Sequence, residues 1–297
     1  MSLVLESPKE QTMRTIRRAC VSVLLFGLAW FVSTATVRTA PGQGSEAAVS
    51  AKTWLGQEEQ IEEFLRAAEV VRLEPIGIGV TQPDWMYLEP GGLFERGVWK
   101  NLPPGISRGF YESYKAEIAA YELDRLLGLQ MVPPKVEKRV EGDLGMAMME
   151  VTDAPTVWAL GGFPIITPLA QRAWWTVQLI RAKMFDNLIN NRDPNEGNWM
   201  VDSAWNIILI DHSRAFTRGT EMQHPFGSLV DQELWERMQQ LDEATLSAAL
   251  GEWLSEGEIR SILERRDVME GEIAKLIDAA ERGELGVFVR YTGLASR

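Results

Sequence analysis

The chain has 297 residues, with 30 basic against 42 acidic side chains and a net charge of −12. That length suits one large domain or two small ones, and the acidity argues against non-specific nucleic-acid binding, which depends on clustered Lys and Arg. One cysteine (Cys20) excludes an intrachain disulfide and a thiolate zinc site, and two histidines (His212, His224) exclude a three-histidine metal centre. Any metal is then expected to be a hard cation held by Asp, Asn and ligand oxygens.

Arg14, Arg17 and Arg18 precede the uncharged run ACVSVLLFGLAWFVSTATV, Ala19 to Val37. A basic flank before an apolar stretch is the pattern of a signal peptide, and Ser33-Thr34-Ala35 offers small residues for cleavage. The run is 19 residues long, enough for an uncleaved anchor. In either case the basic flank stays in the cytoplasm and the remainder is exported. Residues 1–40 are therefore expected to be a signal peptide or membrane anchor, and 41–53 a linker, within a Pro/Gly/Ser/Ala stretch without periodicity.

Trp54, Ile61, Phe64, Leu65 and Ala68 recur at helical spacing and predict a lead-in helix over 54–75. From Pro75 the pattern becomes short apolar runs, at Ile76–Val80, Trp85–Leu88 and Gly97–Trp99. Turn residues separate them, which predicts strands. A helix is expected at about 111–128, stopped by Gly128, then strands at Lys135–Val140 and Gly145–Val151 around a turn at Glu141-Gly142-Asp143. Residues 152–167 read as a Pro- and Gly-rich loop. A long helix follows from Pro168, its apolar face formed by Leu169, Trp174, Val177, Ile180, Met184 and Leu188. It ends in the polar loop NNRDPNEGN, Asn190 to Asn198. Short strands at Trp199–Val201 and Ile207–Ile210 then lead to Asp211, and the last hundred residues are mostly helical. A strand-rich part with one helix before a helical part predicts an α+β fold with two lobes, over 54–151 and 152–297.

The chemistry concentrates in the loop. Asp193 with Asn198 five residues on, after a long buried helix, is one way to build a phosphoryl-transfer site. The Asp accepts or orients the acceptor's hydroxyl proton, and the Asn oxygen holds a metal. Asp211 ends an apolar strand, where a carboxylate can bridge Mg²⁺ to phosphates. Asn198 and Asp211 are expected at opposite ends of a β-hairpin, both within reach of one ion. Asp186 with Asn191 has the same spacing but lies within the helix. Lys100 follows Gly97-Val98-Trp99, where a strand would place it inward, and Glu117 lies in the next helix with Glu122 as a rival partner. A Lys–Glu pair of this kind aims the Lys at the α- and β-phosphates. Gly77 and Gly79 form a turn that can cover phosphates with backbone N–H groups, although no third Gly follows at Gln82.

Gly turn, Lys, helix Glu, loop Asp, Asn five on and strand-end Asp is the order found in kinases. AEIAAYELDRLLGLQMVPPKV (Ala116–Val136) resembles the corresponding helix and strand of the secretory-pathway, Golgi-casein-kinase-like atypical kinases. FDNLINNRDPNEGNWMVDSAWNIILIDHSRAF (Phe185–Phe216) resembles the catalytic and metal segments of that group, and equally those of the bacterial phosphatidylinositol 3-/4-kinase-like and HipA-like families. The resemblance spans about Gly77 to Phe216. It departs at Asp193-Pro194, where the family often has Asp-Arg, and at His212-Ser213-Arg214, where Phe-Gly is usual.

What the resemblance implies is a two-lobed protein-kinase-like fold, ATP as nucleotide, and Mg or Mn. Lys100 would be the phosphate lysine, Glu117 its partner, Asp193 the catalytic aspartate, and Asn198 with Asp211 the metal ligands. The expected function is transfer of the γ-phosphoryl group to a protein or small-molecule hydroxyl by an exported enzyme that meets the membrane only through its N-terminal segment. The alternatives are an exported pseudokinase acting as a nucleotide-binding scaffold, a nucleotidyl transferase on the same fold, and a lipid kinase.

Overall fold

The computed structural model describes residues 49–282 and the strand Phe288–Val289, except Ile78, Val80, Thr167, Pro168 and Ser228. The signal or anchor expectation for residues 19–37 lies outside the described residues. A β-sheet part comes first in the chain and a helical part follows.

The first helix among the described residues, α1 (Glu58–Ala67), is shorter than expected. The sequence from Trp54 to Pro75 is not one helix, because residues 70–75 form the strand β1 (Val70–Pro75). Two causes converge here. The β-branched pair Val70-Val71 favours a strand. In addition, the buried Lys138 donates to the carbonyls of Leu65 (2.8 Å) and Ala68 (2.7 Å), closing the helix end with a cation where the macrodipole favours one. The strand expected at Ile76–Val80 therefore falls six residues earlier.

β2 (Asp84–Leu88) and β3 (Arg96–Lys100) match the next two apolar runs. A small hairpin, β4 (Gly105–Ser107) with β5 (Phe110–Glu112), precedes α2 (Tyr114–Leu127). Ser113 caps α2 by accepting from the Lys115 N–H, and Gly128 ends it with φ +59°, a left-handed conformation that favours glycine. β6 (Lys135–Val140) and β7 (Asp143–Met149) complete an antiparallel five-stranded sheet in the order β1-β2-β3-β7-β6.

Alternation along the strands gives this sheet two different faces. Met86, Leu88, Trp99, Val136, Ala147 and Met149 join a core with Trp54, Ile61 and Leu65 from the α1 side. Met146 and Met148, with Val98, instead pack on Tyr114 and Ile118 of α2. Trp99 and Lys100 therefore point to opposite faces, and Lys100 is directed at α2.

The long helix α3 (Leu169–Ile189) opens the helical part. A 3₁₀ turn at Glu196–Asn198 leads into the hairpin β8 (Trp199–Val201) and β9 (Ile207–Leu209). The short strand β10 (Val230–Asp231) is followed by α4 (Gln232–Gln239), α5 (Glu243–Leu250) and α6 (Glu256–Glu281). β11 (Phe288–Val289) pairs with β10 in parallel. One large core joins buried residues of α2 (Leu123, Leu127), α3 (Phe185, Leu188), the β8–β9 hairpin (Trp199, Leu209) and α6 (Ile262, Met269).

Candidate functional site

The site begins at the end of β3. The Lys100 ammonium donates to Glu117 Oε1 at 2.6 Å and to Asp211 Oδ1 at 2.8 Å. Glu117 is fully buried in the first turn of α2. Its second oxygen accepts from the fully buried Lys135 of β6 and from the His212 backbone N–H at 3.0 Å. Two lysines and two carboxylates thus close a charge-balanced cluster between the sheet and α2. Glu122 is not part of it and pairs with Arg125 at 3.7 Å.

The two lysines differ electrostatically for a countable reason. Burial works against the charge of each. Lys100 has two carboxylates against it, which outweigh burial and raise its pKa, whereas Lys135 has one contacting carboxylate, and burial prevails to lower its pKa. Burial also raises the cost of charging Glu117, but Lys100, Lys135 and their hydrogen bonds hold it well below the usual carboxylate range. His212 is pushed down to about 3 by burial and the neighbouring lysines, so its ring is neutral at physiological pH and it acts here through its backbone N–H.

Asp211 adopts φ +59°, the left-handed region that a non-glycine residue enters at a cost. That turn at the end of β9 directs its carboxylate to Lys100 and to Ser213 Oγ, which donates to it at 3.0 Å. The Ile210 N–H donates to the Asn198 carbonyl at 3.0 Å, so residues 198 and 211 flank the open end of one hairpin. Asn198 gives its side-chain NH₂ to the Asp193 carbonyl at 3.0 Å, which leaves its amide oxygen as the atom available to a cation.

Asp193 is held by further contacts besides that with Asn198. Arg214 donates to its Oδ2 at 3.0 Å, Asn195 donates to its Oδ1 at 2.8 Å, and the Asn191 side chain accepts from its backbone N–H at 3.2 Å. Arg214 is itself fixed by Glu112 at 2.7 Å and lies over the Phe110 ring at 4.3 Å, which ties the loop to the β4–β5 hairpin. The rival Asp186 is buried and spent on structure: its oxygens hold the Asn191 side chain (2.9 Å) and the His224 ring (3.1 Å).

Gly77 and Gly79 have φ of +73° and +99°, in the turn joining β1 to β2. Asp84, at the start of β2, is registered against Trp99 of β3, so this turn leaves the sheet at the end that carries Lys100.

Three site residues escaped the sequence reading. Lys135 sits in a strand of mixed charge, KVEKRV, where only the alternation of the sheet reveals which cations face inward. Arg214 carries a signal: the position after Asp193 is Pro194 where the resembling families often have arginine, and an arginine stands three residues after Asp211. Arg265 carries none. From the middle of α6 it donates to the carbonyls of Leu188 (2.7 Å), Thr217 (2.8 Å) and Gly219 (3.0 Å), joining the end of α3 to the segment after Asp211.

Among the described residues, no three His, Cys, Asp or Glu side chains converge as a ready-made metal cluster. The residues that could hold a cation there are Asp211 and Asn198, and a divalent ion on such a pair would take its remaining ligands from phosphate and water. A cavity of about 540 Å³ lies elsewhere, lined by Trp54, Tyr121, Asp124 and Gln130 rather than by Lys100 or Asp193.

No family model matches the chain, and no curated protein matches it. Among solved structures it is similar to the crystal structure of a Helicobacter pylori proinflammatory kinase, CtkA. The identity is 12%, the TM-score is 0.41, and the match covers 74% of this chain and 96% of that one.

Proposed function

We propose that the protein is an atypical kinase that uses ATP and a divalent metal to phosphorylate a hydroxyl group. The observation that carries this reading is the position of Lys100. A buried ammonium is held between a helix carboxylate, Glu117, and a strand-end carboxylate, Asp211, at 2.6 and 2.8 Å. Asp193 and Asn198 stand on the loop and hairpin beside it.

Each residue has a separate task. Lys135 and the His212 N–H occupy the far oxygen of Glu117, so Glu117 stays fixed while Lys100 turns to the nucleotide phosphates. Asp211 and Asn198 would hold Mg²⁺ or Mn²⁺, which supplies neutralisation of phosphate charge. Asp193, steadied by Arg214 and Asn195, orients the acceptor hydroxyl and accepts its proton. Glycines 77 and 79 leave backbone N–H groups free of side-chain obstruction over the phosphates.

The test is incubation of the purified full chain with ATP labelled separately at the α- and γ-phosphates. Retained γ-label with no α-label supports the kinase reading. Retained α-label replaces it with nucleotidyl transfer, and no retained label with metal-dependent ATP binding replaces it with a nucleotide-binding scaffold.

A further inference from the structure

The loop after the sheet carries exposed apolar side chains that no described element of the fold covers fully. Trp158 is 73% exposed, Leu160 47%, Phe163 43% and Ile165 90%, all within eight residues. Isolated exposed apolar residues are ordinary, but four this close form a patch of the kind that marks an interaction surface. The loop is not loose. Its root runs along β8, with Val201 donating to Pro155 (2.9 Å), Thr156 bridged to Met200, and Val157 donating to Trp199 (2.8 Å). Phe163 packs edge-on against Trp199 at 5.6 Å, and the Trp158 N–H donates to the Glu196 carbonyl at 3.1 Å.

The place where the chain enters the domain identifies what covers this patch. Val49, itself 74% exposed, accepts from Ser203 Oγ at 3.0 Å, and Ala51 donates to Asp202 at 2.9 Å. Asp202 and Ser203 are the turn of the same β8–β9 hairpin along which the loop runs. By the Thr156–Met200 register Trp158 lies opposite residue 198, four to five strand residues, or about 13–17 Å, from the entry contacts at Asp202 and Ser203. Eleven residues, 38–48, separate that point from the apolar run 19–37. Eleven residues of polypeptide reach about 40 Å at most.

We propose that this loop is a membrane-contact surface: Trp158, Leu160, Phe163 and Ile165 seat in the headgroup region of the bilayer to which residues 19–37 anchor the chain. Tryptophan with aliphatic neighbours is the composition favoured at that depth. A tether of under 40 Å keeps the loop at a high effective concentration beside the bilayer, so a modest patch suffices. Contact with the membrane then extends beyond the N-terminal segment and lies against the loop that carries Asp193 and Glu196. The inference rests on the anchor reading of 19–37 and does not depend on the kinase reading.

The test uses the full chain with Cys20→Ser, bearing a single new cysteine at Trp158→Cys, Ile165→Cys or Lys275→Cys. Lys275 lies on α6 and its side chain is 73% exposed, so it serves as a matched control. Each variant is labelled with an environment-sensitive fluorophore and reconstituted in phosphatidylcholine vesicles with and without spin-labelled phosphatidylcholine. The expected result is flotation with the vesicles and at least about twofold quenching at 158 and 165, with little at 275, as for groups seated at the headgroup–acyl boundary. Flotation with equal quenching at all three sites, or none at 158 and 165, overturns the surface while leaving the anchor intact. A blue shift at 158 that grows with protein concentration and is not quenched by lipid assigns the patch to a second copy and also overturns it. A chain that does not float refutes the anchor and the surface together.

Discussion

Lys135 and Lys100 grip opposite oxygens of Glu117, one from β6 and one from β3, so a single buried carboxylate joins two strands to the first turn of α2. Removing the carboxylate leaves two buried ammonium groups with only Asp211 between them. Breaking a buried pair in this way typically costs about 3–5 kcal/mol. Glu117→Gln is therefore expected to lower stability by about that amount. Glu122→Gln, at a half-buried position whose ion-pair partner is Arg125 at 3.7 Å, should change it by less than ~1 kcal/mol. Chemical denaturation of the two variants checks the difference. Equal losses would show that Glu117 does not organise the cluster.

Asp193 and Asp211 should separate in their effects. Asp193→Ala is expected to reduce phosphoryl transfer by about 10²–10⁴-fold, the usual worth of a positioned base, with nucleotide affinity nearly unchanged. Asp211→Ala should weaken both, because it removes the proposed metal ligand and one of the two carboxylates on Lys100. Titration of ATP with and without Mg²⁺, beside initial rates, reads both quantities. Asp186→Ala tests the rival spacing: it should cost stability through Asn191 and His224, and transfer that is lost at wild-type stability would move the catalytic role to Asp186.

The buried Asp124 makes a pH prediction. Burial raises its pKa to about 7, against the pull of the Met131 N–H, Lys52 and the Val132 N–H. Between about pH 4 and 7 the folded chain binds a proton there that the unfolded chain has released. This group's contribution to stability therefore falls as pH rises through that window, by at most roughly 1.4 kcal/mol per pH unit. His212 acts in the opposite sense. Its folded pKa near 3 means that the unfolded chain takes up a proton first, and stability is lost as pH falls below about 6.5. Asp124→Asn keeps the acceptor for Met131 and Val132 and removes only the first effect. The difference in stability between variant and wild type should grow in the variant's favour from pH 4 to 7, and a flat difference would refute the assignment.

Arg265 offers a test far from the chemistry in sequence. Arg265→Met leaves the carbonyls of Leu188, Thr217 and Gly219 without their buried donor. A loss on the order of 3 kcal/mol is expected, since each unsatisfied buried group costs roughly 1–3 kcal/mol and some will relax. Transfer should fall through displacement of the segment after Asp211, with Arg265→Lys recovering part of it. Wild-type activity in a stable Arg265→Met would show that α6 does not support the site.

Much of this site was legible before any coordinates. Local pattern defines β2, β3, the two ends of α2, the turn at Glu141-Gly142, and the spacing of Asp193, Asn198 and Asp211. Strand alternation and helix caps act over a few residues, and the sequence displays them directly. By the same logic Lys100 was expected to face inward. The division of residues 54–75 was not legible, because the end of α1 is held by Lys138, seventy residues away, rather than by a local stop signal. Glu117 was the expected partner of Lys100 and is the one found; the second lysine on Glu117 and the use of Arg214 and Arg265 were not legible. Each depends on which charges the sheet, α2 and α6 bring together in a space without water, and there a charge remains only where it has a partner. Chemistry carried on one short segment can be read from the chain, whereas the partners of a buried charge are settled only when distant elements pack.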